Sequence, residues 1–316
     1  MLIRCTSDKI LQLILLQPYF SEAEVQSYGI WLAGCQDGVN NPARVFHSLY
    51  GSTAEVLAEQ FEDLQTTRIQ AARLTVEENS GKGLRSFLIA HHWLWTAPKN
   101  VVLTSTRFRI CEKYCQGEAL WRWIRKIAAL EAQVIVWEER RTKPISMAYQ
   151  TFTLTVDGTD FRTWEPKHPT LPVDTGYASH KFKSAGYCYK IAISTGKKCI
   201  WIYGPHRAGK HDMTILREAL KSKLQPGEAV IADSDYQTSR MDKLFMSTPN
   251  TQDMPEVARF KSLARCRHET FNGRLKHFAS MENTWKYGME KHGWAFRAVE
   301  VTVQYHLELG VGLFEV

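Results

Sequence analysis

Near residue 150 the hydrophobic repeat of this 316-residue chain changes period, and that change limits the folds open to it. Upstream, apolar residues recur at helical spacing, as in "SEAEVQSYGIWLAG" and "TAEVLAEQFEDLQTTRIQAARL". The first of these opens on a Ser cap with acids in its first turn and closes on Gly. Downstream, "TFTLTVDGTDF" alternates strictly. It places Phe152, Leu154 and Val156 on one face and Thr151, Thr153, Thr155 and Asp157 on the other, which predicts a strand ending in a turn. After a loop with Pro166, Pro169 and Pro172, "GYCYKIAIST" and "KCIWIYGP" read as a hairpin joined by "STGK". "DMTILREALKSKL" reads as an amphipathic helix, and Ala229 to Ala232 as a short buried strand. This order predicts an α/β layer domain over residues 146–316, preceded by an all-α region over residues 1–145.

A composition of 44% hydrophobic and 23% charged residues fits a globular chain and excludes a disordered one. The net charge of +7 is unevenly spread. Residues 1–100 hold 8 basic and 10 acidic side chains, whereas Arg107 to Lys126 hold six basic and two acidic. From Ser179 to His211 there are seven Lys and Arg and no acid. Local basic tracts in a mixed background point to a polyanion. Around residues 104–137, Gly117 separates two helical stretches in the outline of a helix-turn-helix, with Arg122, Arg125 and Lys126 on the second. A packed hairpin with a solvated basic face is the alternative. Seven cysteines, an odd number, suggest no disulfide framework, and Cys111 and Cys115 read as packing residues. No apolar run approaches the ~20 residues that span a bilayer, and "KILQLILLQPYF" reads as the first amphipathic helix.

Three acids stand out by context: Asp157 ends the first strand, Asp233 ends the fourth, the strand of "GEAVIADSDYQ", and Glu269 lies in "RCRHETFNGRLKHF". A short buried strand rarely stops on a carboxylate without a compensating partner. On a helix turning ~100° per residue, Asn272, Gly273 and Lys276 fall near Glu269, while Phe271, Leu275 and Phe278 cluster opposite. The helix therefore packs through its Phe/Leu face and presents Glu269 elsewhere. Three carboxylates brought together would suit Mg²⁺ or Mn²⁺. Two such ions about 3.5–4 Å apart would clamp the attacking and leaving oxygens of a phosphodiester. Taken singly, Asp157-Gly158-Thr159 also reads as a plain turn and Glu269 as a surface residue.

Asp233 and Glu269 have 35 residues between them, a spacing that resembles many DDE transposases and retroviral integrases, whose catalytic domains are RNase H-like. More specifically, residues 150–316 resemble the DDE superfamily endonuclease domain of Harbinger-type transposases. The shared features are "VDGT", "SHKFKSAGYCYKIAIS", "GPHRAGKHDMTILR", "GEAVIADSDY", "RCRHETFNGRLKHF" and "HGWAFRAVEVTVQYHLELG". The resemblance implies an RNase H-like mixed sheet flanked by helices, with Asp157, Asp233 and Glu269 as the catalytic and metal-binding triad. "ADSDY" departs from the usual Asp-x-Gly-Tyr by placing Asp235 where Gly is common. His211 and Asp212 fall in a recurrent motif and also suit the cap of the following helix.

The implied activity is cutting of DNA by metal-activated water, followed by attack of the freed 3′ hydroxyl on target DNA. Lys181, Lys183, Arg267, Asn272, Arg274 and Lys276 are the expected phosphate contacts. The implied partners are terminal inverted repeats, target DNA and a separate Myb-like DNA-binding protein, with room for a homo-oligomer, no membrane, and a nuclear location. "RRTK" at 140–143 is too short for an import signal by itself. Two alternatives stand beside this: a domesticated, non-catalytic DNA-binding or adaptor protein that kept the fold, and an RNase H-like nuclease acting on another nucleic acid.

Overall fold

A computed structural model of the chain describes residues 19–35, 39–97, 117–147, 150–165, 174–234, 236, 239 and 242–316. Four sequence expectations lie outside the described residues. They are the bulk of the helix after Lys9, the segment 104–116 with Cys111 and Cys115, the loop of Pro166, Pro169 and Pro172, and the side chain of Asp235. The chain forms two compact units. One takes the described part of residues 1–134 with 277–280 and 294–310; the other takes 135–276, 281–293 and 311–316.

The first unit is helical. It contains α1 (Glu22–Leu32), α2 (Pro42–Tyr50), α3 (Ala54–Thr66), α4 (Gly81–Thr96), α5 (Glu118–Ala129) and the later turns of a helix spanning Met289–Leu309. Local chemistry sets the helix ends. Ser21 caps α1 and exchanges hydrogen bonds with Glu24, a reciprocal capping box. Helix α3 stops before the "RIQAARL" that its apolar spacing includes, because Thr67 turns extended at ψ 142°. An aromatic core holds the helices together: Phe61 lies 5.2 Å from Phe87, and Trp93 lies 5.2 Å from Trp121.

The second unit is a mixed seven-stranded sheet covered by helices. Its strands are β1 (Ile145–Met147), β2 (Gln150–Arg162), β3 (Ala178–Ser179), β4 (Ser184–Ser194), β5 (Cys199–Arg207), β6 (Glu228–Ile231) and β7 (Met246–Ser247). The order is β3-β4-β2-β6-β7, with β5 also on β4 and β1 also on β2. Strands β2, β4 and β5 are antiparallel neighbours, whereas β6 and β7 run parallel to β2. Helix α6 (Asp212–Ala219) connects β5 to β6, and α7 (Pro255–Lys276) follows β7. This is the mixed α/β sheet with flanking helices, preceded in sequence by an all-α region, that the change of period predicted.

The faces of β2 differ from the simple alternation. Phe152 packs with Phe260 and Ala264 of α7, while Leu154 and Val156 pack with Met213 and Leu216 of α6. A register shift between Phe152 and Leu154 in the pairing with β6 inserts one residue and reverses the faces. Phe152, Leu154 and Val156 therefore do not share a face. Both faces of β2 are covered, so Thr153, Thr155 and Thr159 are buried too. Full burial of a side chain such as Phe152 contributes roughly 1.5–3 kcal/mol. The register shift also decides the site, because it turns Thr155 and Asp157 towards α7.

Candidate active site

Strand pairing brings the two aspartates together. Thr155 of β2 pairs with Ile231 of β6, and the strands are parallel. Two residues further along each chain come Asp157 and Asp233, at one level and on one face, since side chains repeat every second residue. Strand β6 ends at Ile231, whereas β2 continues against β4 to Arg162. Asp157 is thus mid-strand, neither a strand end nor part of a turn, and it lies where its neighbour on one side has stopped. Helix α7 crosses that face and completes one small cleft lined by Asp157, Asp233, Arg265, His268 and Glu269.

Each acid meets different partners. Asp157 Oδ1 accepts from the Gly158 backbone N–H at 2.6 Å, and Oδ2 accepts from Asn272 Nδ2 at 3.2 Å. Asp233 Oδ1 accepts from the Ser234 N–H at 2.5 Å and its hydroxyl at 3.0 Å, and pairs with Arg265 Nη2 at 2.9 Å. Glu269 is exposed and makes no hydrogen bond or ion pair among the described residues. His268 is buried and meets the Thr155 hydroxyl through Nδ1 at 3.2 Å. Burial pushes its pKa down to about 4, against the pull of Asp157, so the ring is neutral at pH 7. Among the described residues no three His, Cys, Asp or Glu side chains stand close enough to hold a metal ion in this arrangement.

The expected phosphate contacts separate into three groups. Lys181 and Lys276 flank the site: Lys181 Nζ donates to the Gly158 carbonyl at 2.8 Å. Burial, then repulsion from Lys181, lowers the pKa of Lys276, while Asp160 and Asp157 oppose that shift. Lys183 is exposed, in a left-handed conformation at φ 53°. The expectations for Arg267 and Asn272 need correction. Arg267 is fully buried and donates to the carbonyls of Thr195 and Ser194, so it secures the β4–β5 turn and cannot reach a phosphate. Arg274 is bound to the carbonyls of Val311 and Gly312. Asn272 is buried against Asp157 and orients that carboxylate. In the helical unit, Arg122 and Lys126 both pair with Glu78, at 3.3 and 3.2 Å, and Arg125 pairs with Glu118. Arg122 and Arg125 keep 55% and 41% of their side chains exposed, whereas Lys126 is 12% exposed.

These contacts frame the comparisons with known proteins. Residues 156–303 match the DDE superfamily endonuclease family. The matched segment, just under half of the chain, begins one residue before Asp157 and includes Asp233 and Glu269. No curated protein and no solved structure matched the chain.

Within the matched segment, the opposite face of β2 carries a network that the motifs did not announce. Lys190 of β4 pairs in register with Gly158, and its side chain is 1% exposed. The ammonium meets Asp212 Oδ1 at 2.5 Å and the Tyr236 hydroxyl at 3.4 Å. A Cβ at position 158 would stand 2.1 Å from that nitrogen, which explains the glycine after Asp157. His211 caps α6 through Nδ1, and Asp212 anchors Lys190. The "VDGT", "HD" and "DSDY" motifs thus meet at one buried charge, behind both site aspartates.

Two expected outcomes follow. Gly158→Ala, which must displace a pinned ammonium, should cost roughly 1–3 kcal/mol in urea unfolding. Asn272→Ala removes the donor that orients Asp157 Oδ2. It should lower Mn²⁺ affinity by about 10–100-fold in calorimetry and cost about 1 kcal/mol in urea unfolding.

Arg265 is the site residue that the sequence reading passed over. It lies four residues before Glu269, hence on the same side of the helix.

Proposed function

We propose that this chain is a DDE-type DNA nuclease of the transposase kind, one that cleaves DNA strands and transfers the 3′ hydroxyl to target DNA. The observation that carries this reading is the parallel β2–β6 register, which sets Asp157 beside Asp233 on the face where Glu269 projects. The family match over residues 156–303 supports a nuclease with DNA as its substrate.

The donor set fits hard divalent cations. Three carboxylates line one cleft, and the Arg265 guanidinium already stands on an Asp233 oxygen in the manner of a cation. The other Asp233 oxygen and the Glu269 carboxylate carry no bond among the described residues. Asp157, Asp233 and Glu269 would hold Mg²⁺ or Mn²⁺, two ions in our reading, which when bound supply Lewis acidity and a water of lowered pKa. The chain's own residues do the rest. Asn272 holds Asp157 in one orientation, and the Lys190–Asp212 pair braces both aspartate-bearing segments from behind. Lys181 and Lys276 draw the DNA backbone towards the cleft, with Lys183 further out. His268, neutral and buried, keeps water from the back of the site.

The finer identity belongs to the same proposal: a Harbinger-type element, terminal inverted repeats as the cleaved DNA, a Myb-like partner for their recognition, self-association and a nuclear location. "RRTK" is too short to carry import by itself, and its Arg140 and Arg141 both pair with Glu228. No helix among the described residues is long and apolar enough to cross a membrane.

The test is cleavage of terminal-repeat DNA by wild type and Asp157→Asn, with Mg²⁺ or Mn²⁺ and with a chelator. Equal activity in the two proteins, or activity that survives chelation, overturns the assignment. A second reading, a non-catalytic DNA-binding adaptor, is favoured by one observation: the three acids as they stand do not form a metal-holding group. Retained DNA affinity without divalent-ion binding would select it.

A further inference from the structure

The helix that carries Glu269 also carries two arginines of opposite character. Arg267 is fully buried and its guanidinium is tied to two backbone carbonyls. Arg265 is 34% exposed, and the ion pair to Asp233 Oδ1 is its one polar contact among the described residues. It supplies the only full positive charge in direct contact with any of the three site carboxylates among the described residues. Asp157 receives only neutral N–H donors, and Glu269 receives none. A partly exposed pair of this kind is weak and costs little to break. Its two partners come from separate elements, α7 and the segment after β6, so the contact can open without disturbing either backbone.

We infer that Arg265 is an exchangeable counter-ion of the candidate centre, holding Asp233 in the metal-free protein and yielding that oxygen when a divalent cation enters. The inference rests on the metal-dependent reading above and adds a competitor to it. A guanidinium and a divalent ion held by one carboxylate repel each other and share its single charge, so metal and guanidinium compete for Asp233. The guanidinium offsets the charge of Asp233 in a cleft that two further carboxylates line. It also sets a threshold: a doubly charged, compact cation displaces the guanidinium, whereas a monovalent ion gains too little. Removing the arginine should therefore strengthen metal binding, the opposite of what loss of a supporting residue does.

The experiment is calorimetric titration of the full chain with Mn²⁺ alone, for wild type, Arg265→Gln and Arg265→Lys, with thermal melts in chelator and in Mn²⁺. Arg265→Gln should bind Mn²⁺ up to about fivefold more tightly than wild type. It should also melt at a lower temperature in chelator and gain more from Mn²⁺. Arg265→Lys, which keeps a cation, should stay near wild type. Equal or weaker binding by folded Arg265→Gln overturns the exchange and leaves the metal-dependent reading in place. Absence of Mn²⁺ binding in wild type and both variants overturns that reading, and the exchange with it.

Discussion

Asp212→Asn is expected to destabilise the sheet unit by about 3 kcal/mol, whereas Lys190→Met costs much less. The asymmetry comes from where each partner stands. The Lys190 side chain is 1% exposed and that of Asp212 is 41% exposed, at a separation of 2.5 Å. Removing the negative charge leaves an ammonium inside the sheet with only neutral acceptors among the described residues, the new amide oxygen at position 212 and the Tyr236 hydroxyl at 3.4 Å. Removing the ammonium leaves a carboxylate that water can reach, and methionine fills the vacated space. Breaking a buried pair from the buried side's partner is the costly direction. Urea unfolding of both variants and of the double variant checks this. The double variant should recover most of the loss, because no charge is then left unpaired in the interior.

Asp157→Asn should lower metal-dependent cleavage by at least about a hundredfold while shifting stability by less than about 1 kcal/mol. The substitution keeps the shape of the side chain. An amide oxygen can still accept from Gly158 or from Asn272, which are the two donors at this carboxylate. It removes the negative charge that a divalent ion needs, and the amide nitrogen cannot ligate. A loss of cleavage accompanied by an unchanged melt locates the defect in the chemistry. A loss matched by unfolding would instead make Asp157 a residue of the fold.

Several corrections were already implicit in the geometry used to read the chain. On the helical wheel centred on Glu269, Arg267 falls about 160° away, on the side of Phe271 and Leu275, so its burial was readable. Arg265 falls about 40° away, on the Glu269 side, and belonged with the site. Charge alone suggested phosphate contacts for Arg267 and Arg274, but the helix face decides which cation meets solvent. The fate of Arg122, Arg125 and Lys126 was not readable in this way. Glu78, partner to two of them, is more than forty residues distant in sequence.

By themselves, the residues determined the element types, their order and the three acids worth watching. Those properties depend on local periodicity, capping and turn chemistry, which act over a few neighbours. Tertiary structure alone decided that β6 lies parallel to β2 with Thr155 opposite Ile231, and so placed Asp157 level with Asp233. It also decided that a one-residue shift after Phe152 turns Asp157 towards α7, and that Lys190, Gly158, Asp212 and Tyr236 meet behind it. The physical reason is that register and long-range ion pairs are set by the packing of whole layers. No window along the chain contains both partners of such a contact.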